Sequence, residues 1–172
     1  NIDDTLFLWS ARQILAAPLD FYGFSGNWAN VMSPAVEIIK NPPLASYYIA
    51  LVSFFVDAGE RSLHLAFIIP AAACAVGAYL IAVRLTRLPM YAALAGVFTP
   101  VFLVSSNTVM SDVMMLVFFI WAVFMWMRGL ERDEHLSLFL AGTIIALGAL
   151  TKYFAISLIP LLVLYALVSR PR

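Results

Sequence analysis

This chain of 172 residues holds one cysteine, two histidines and only twenty formally charged side chains. A lone Cys74 excludes an intrachain disulfide and leaves no cysteine spacing for a metal. Set in an apolar stretch, it reads as packing. Ten basic residues balance ten acidic ones, so a broadly basic nucleic-acid-binding surface is not indicated. Charged residues make up 12% of the chain and hydrophobic residues 63%, with a mean hydropathy of +0.94. A water-soluble domain of this size could hardly cover so much apolar surface, and the chain belongs in a bilayer. It also lacks an initiating methionine and a charged-then-apolar leader, and it ends in Arg-Pro-Arg. These ends read as those of an excerpt, with a further span expected before Asn1.

The few charges are unevenly placed. Residues 1–61 carry nine of the twenty, whereas 62–127 carry only Arg84, Arg87 and Asp112 apart from the titratable His64. That asymmetry separates a polar first loop, 1–61, from a bundle of about five spans over 62–172. A span needs about 20 apolar residues, and five windows approach that length: 62–83, 89–104, 109–127, 136–150 and 154–168. The last two are short and would draw on flanking residues or a thin local bilayer. Pro70, Pro100 and Pro160 do not exclude helices, because neighbours in a bundle can satisfy the freed carbonyls. The expected architecture is all-α, a polytopic transmembrane bundle whose external loop carries interfacial helices.

Direction follows from arginine. Arg84 and Arg87, then Arg128 and Arg132, then Arg170 and Arg172 fall in alternate connections, which the positive-inside rule assigns to the cytoplasm. The connections at 105–108 and 151–152 then face outward with the first loop, and Asp112 and Lys152 fall at external span ends. Residues 43–56 form an apolar helix too short to cross, which suits the external interface. Tyr47 and Tyr48 match that depth, with buried ring faces and wet hydroxyls.

Four places could carry chemistry, each with a plainer alternative. Asp3 and Asp4 precede the helical pattern Leu6, Phe7, Trp9, Ile14, where an aspartate commonly caps a helix; one can cap while its neighbour serves as a base. Asp112 stands among Asn107, Thr108 and Ser111 at the head of an apolar span. It too could be a cap, but charge in such a place is costly and commonly functional. Lys152 is the one basic residue of its short external connection. It either snorkels to headgroups or holds a specific phosphate as a compact cation. In Lys40-Asn41-Pro42-Pro43-Leu44, two prolines set an extended approach and then open a helix.

The order Asp3-Asp4, Ala11-Arg12, Asn41-Pro42-Pro43-Leu44, Asp112 at a span head, and Leu150-Thr151-Lys152 resembles the GT-C membrane glycosyltransferases. More closely, it resembles the branch of protein O-mannosyltransferases and the aminoarabinose transferase of lipid A. The family's leading acidic pair, usually Asp-Glu, aligns with Asp3 and Asp4. Its basic-Pro-Pro-Leu segment falls on residues 41–44, with Asn41 at the basic position and Lys40 one step earlier. Its second external aspartate matches Asp112. Its Thr-Lys-Gly element matches Thr151-Lys152, with Tyr153 in place of glycine.

The resemblance implies transfer of a sugar from a polyprenyl-phosphate donor to a lipid, glycan or protein acceptor, with inversion. The reaction would take place at the external face of a plasma or bacterial inner membrane. Asp3 would act as base beside Asp4, and Lys152, with Lys40 or Arg12, would balance charge on the leaving phosphate. Asp112, with Asn41 nearby in the motif order, would position substrate. Three roles are open to Asp112: orienting Arg12 or Lys152, binding the sugar, or holding a divalent cation. No other cofactor is implied. The rivals are a transporter or lipid flippase, expected to keep its ionisable groups near mid-span, and a scaffold without chemistry. One external cavity lined by Asp3, Asp112 and Lys152 would favour the enzyme over the scaffold.

Overall fold

The computed structural model describes residues 4–28, 30–56 and 59–169. Asp3 lies outside the described residues. Helix α1 (Asp4–Ala16) leads into a small hairpin, β1 (Ser25–Trp28) paired antiparallel with β2 (Val31–Pro34). The short α2 (Ala35–Ile38) and then α3 (Leu44–Phe55) follow. The bundle proper is α4 (Glu60–Leu85), α5 (Pro89–Val97), α6 (Pro100–Ser106), α7 (Ser111–Arg132) and α8 (His135–Thr151), then a 3-10 turn at Tyr153–Ser157 and α9 (Leu158–Ser169). The architecture is a nearly all-α helical membrane bundle. The hairpin is the one element type that hydropathy did not anticipate. Asn30 adopts a φ of 63° beside the closing pair Trp28–Val31, a left-handed geometry that asparagine tolerates better than most side chains.

By length and apolar composition, α4 and α7 can each cross a membrane, and α5 with α6 makes a third crossing if the pair is one bent span. The expected window 89–104 is helical but not continuous: it breaks, and its halves differ in direction by 62°. Pro100 is the cause, since it disfavours helical geometry in the residue before it. Thr99 accordingly sits at φ −65°, ψ 140°. Its hydroxyl donates to the Gly96 carbonyl at 2.8 Å and accepts a longer bond from the Phe102 amide. Helix α8 and the 153–169 segment are apolar but shorter than the two full spans.

Pro70 leaves α4 unbroken but cannot donate to the Ala66 carbonyl one turn earlier. The Tyr48 hydroxyl of α3 donates to that carbonyl at 2.7 Å. Tyr47 similarly donates to the Pro18 carbonyl. Both hydroxyls therefore reach main-chain acceptors, Tyr47 through an exposed bond and Tyr48 through a half-buried one. Phe7, Ala11 and Ile14 of α1 pack with Ala45 and Ile49 of α3 against Leu63 and Phe67 of α4 and Met114 of α7. The first loop is thus seated on one end of the bundle.

Helices α4 and α7 run side by side in the same direction. The Trp121 indole donates to the Ala73 carbonyl at 3.1 Å, and a side chain at Gly77 would collide with Ile120 at 2.5 Å. Cys74 is buried between them, its thiol toward the Val113 carbonyl, in keeping with a packing role. At the far end Arg84 pairs with Glu131 at 3.1 Å and lies over the Phe124 ring. Arg128 pairs with Glu134 at 2.9 Å. The connections that carry Arg84 and Arg128 therefore share the end opposite Asp112 and Lys152.

Candidate active site

Helix α8 stops at Thr151, whose buried hydroxyl turns back to the Leu147 carbonyl. The next residue is extended, with Lys152 at φ −154°, ψ 128°. That single extended residue aims its side chain away from the helix axis and across to α7. The Lys152 ammonium lies 2.6 Å from Asp112 Oδ1, and the two side chains remain 34% and 39% exposed. Asp112 is the second residue of α7, after the Met110 cap and Ser111. It does not cap the helix, although its charge suits the positive end of the helix dipole. An ammonium has three donors, so pairing with one carboxylate oxygen leaves others for a second anion.

Three hollows meet along the segment from Ser105 to Asp112. Asp112 and Ser105 line one of about 310 Å³, walled by Thr99 and Phe102 at the break between α5 and α6 and by Val113 and Leu116 of α7. Met110 lines a second, of about 210 Å³, together with Lys40, Asn41, Trp28 and the Leu6–Phe7 turn of α1. Asn107, Thr108 and Val109 line a third, of about 350 Å³, with Asp4, Thr5, Glu60 and His64. Of the described candidates, Asp4, Lys40 with Asn41, and Asp112 thus fall in three separate hollows along this segment. Asp112 and Lys152 touch; Lys40 and Asn41 share a cavity; Asp4 faces a separate one.

Arg12 is set apart. It lines a hollow of about 420 Å³ with Trp9, Gln13 and the hairpin residues Phe24 to Asn27. Of the two partners open to Asp112, the geometry supplies Lys152. Among the described residues no three His, Cys, Asp or Glu side chains converge to hold a metal ion.

Sequence reasoning missed Tyr22, Glu60 and His64. The last two open the first full span and were within reach, because their end of α4 is the end that carries Asp112. Tyr22 had no such signal. Its hydroxyl donates to the Asn41 carbonyl, and burial, with a smaller contribution from nearby Tyr153, pushes its pKa up to about 12. It therefore remains a protonated donor at any physiological pH.

No curated protein and no solved structure matches the chain. A family model does match, over residues 40–172, a stretch that starts at the Lys40–Asn41 cavity and includes both members of the Asp112–Lys152 pair. By that match, the chain belongs to the dolichyl-phosphate-mannose-protein mannosyltransferase family, and it is a membrane glycosyltransferase of the GT-C type.

Proposed function

We propose that the chain moves a sugar, with inversion, from a polyprenyl-phosphate donor to an acceptor at the external membrane face. The observation that carries this reading is the Lys152–Asp112 pair at the end of the bundle opposite the arginine-rich connections. A lipid phosphate sits at headgroup depth, where a lysine held in place by a carboxylate can meet it without crossing the apolar core.

The reaction requires one bond to form and one to break. An acceptor oxygen attacks the anomeric carbon, its proton passes to a carboxylate, and the carbon–oxygen bond to phosphate breaks. The bonding pair stays on the phosphate oxygen. Asp3, with Asp4 beside it, serves as the base, and Lys152 with Lys40 offsets the charge that grows on the departing phosphate. Asp112 keeps the Lys152 ammonium aimed and leaves its remaining hydrogens free for the phosphate oxygens. Arg12, in its own hollow, is left out of this phosphate site.

The test is incubation of the full-length protein in liposomes with labelled polyprenyl-phosphate sugars. Label appearing on an acceptor, together with release of free polyprenyl phosphate, supports the reading. Movement of intact donor between leaflets without bond cleavage would replace it with a flippase.

A further inference from the structure

Lys40 and Lys152 come from opposite halves of the chain, and something must bring their segments together if both are to serve one phosphate. Helix packing does part of this, since α3, which follows Pro42-Pro43, contacts α8, which ends one residue before Lys152. The loop between α1 and the hairpin supplies a more specific tie. The Tyr22 hydroxyl donates to the Asn41 carbonyl. Its ring meets Phe21 edge-on at 4.7 Å, and Phe21 in turn meets Tyr47 of α3 at 6.2 Å. Tyr47 closes the circuit by donating to the Pro18 carbonyl, so the 18–22 loop is tied to α3 at one end and to Asn41, three residues before α3, at the other. The Tyr22 hydroxyl also feels a minor electrostatic contribution from Tyr153, the residue directly after Lys152.

We infer that Tyr22 is a positioning residue for the donor phosphate: it holds the Lys40–Asn41 segment beside the Lys152–Tyr153 connection, so that two ammonium groups address one anion. This rests on the donor reading above. Tyr22 acts through Asn41 and Lys40 and has no need to touch the substrate. Its bond to Asn41 goes to the main chain, so the tie is independent of the side chain at position 41. A single hydroxyl sets the register of the loop, and phenylalanine would keep the ring packing while releasing it.

The experiment is binding of polyprenyl phosphate, without sugar, to the full-length protein in nanodiscs. Tyr22→Phe should weaken Kd about fivefold, the loss expected of one ordinary hydrogen bond, while acceptor KM stays close to wild type. Lys40→Gln, a change at an exposed residue, should weaken binding as well. The double variant should then bind hardly worse than Lys40→Gln alone, because both changes remove the same contact. Equal Kd values for wild type and Tyr22→Phe, or for wild type and Lys40→Gln, overturn the inference and leave the donor reading standing. So do fully additive losses. A wild-type protein that does not bind polyprenyl phosphate removes the donor reading and the inference together.

Discussion

Lys152 Nζ and Asp112 Oδ1 are 2.6 Å apart although forty positions separate them in the chain. The pair joins the last residue before the 3-10 turn to the first turn of α7. Because both side chains are about one-third exposed, its contribution to stability is expected to be at most about 1 kcal/mol. Its larger effect is expected in substrate use. Lys152→Gln should raise donor KM by roughly tenfold, consistent with about 1.5 kcal/mol for a hydrogen bond to a charged group. Lys152→Arg should recover only part, since a planar fork replaces a point charge. Donor titrations with each variant check this, and unchanged kinetics in Lys152→Gln would return the residue to a headgroup-snorkelling role.

The acidic pair makes a separate prediction. If Asp3 is the base, Asp3→Asn keeps the shape of the side chain and cannot take the proton. Turnover should fall by roughly 10² to 10⁴ with little change in donor affinity. A cap alone predicts near wild-type behaviour, because asparagine caps almost as well. Asp4→Asn, at the residue that opens α1, identifies the active member of the pair. Full activity in both variants at saturating donor would take the pair out of the mechanism.

Tyr48 and Pro70 form a structural prediction independent of chemistry. Tyr48→Phe strips the Ala66 carbonyl of the donor seen at 2.7 Å and should destabilise the protein by about 1 kcal/mol. Pro70→Ala restores a main-chain donor to the same carbonyl, so Tyr48→Phe should cost less in that background. Thermal unfolding of the four proteins gives the coupling, and strict additivity would show that the two residues do not share this acceptor.

Topology is open to direct labelling. In a Cys74→Ala background, single cysteines at Asn107 and Arg132 should react from opposite faces of the membrane, with Asn107 reached from outside. Arg132 ends α7, and Asn107 lies four residues before that helix opens at Ser111. Reaction of both from one side would sink the assignment of that helix as a span.

Much of this arrangement was legible before any coordinates. The run from Leu63 to Leu85 is apolar enough that only lipid or protein can surround it, so α4 follows from composition alone. Charge scarcity singled out Asp112 and Lys152, because a formal charge at the edge of an apolar helix is retained only where something answers it. The break at Thr99 was not legible. Pro100 reads as compatible with a helix, and whether a bundle absorbs a proline, as it does Pro70 in α4, depends on which neighbour can reach the freed carbonyl.

What the sequence determined by itself was therefore the class of the protein, a helical membrane bundle, and the short list of groups able to carry charge. Hydropathy and charge are local properties that a window of residues expresses without knowledge of its neighbours. Tertiary structure alone decided the partners. It set Lys152 against Asp112 and placed Arg12 in another hollow, away from both. It brought Tyr22 to Asn41, and Tyr48 to the carbonyl that Pro70 leaves free. Such pairings depend on helix direction, bend and side-chain reach across distant segments, and no periodicity within one segment encodes them.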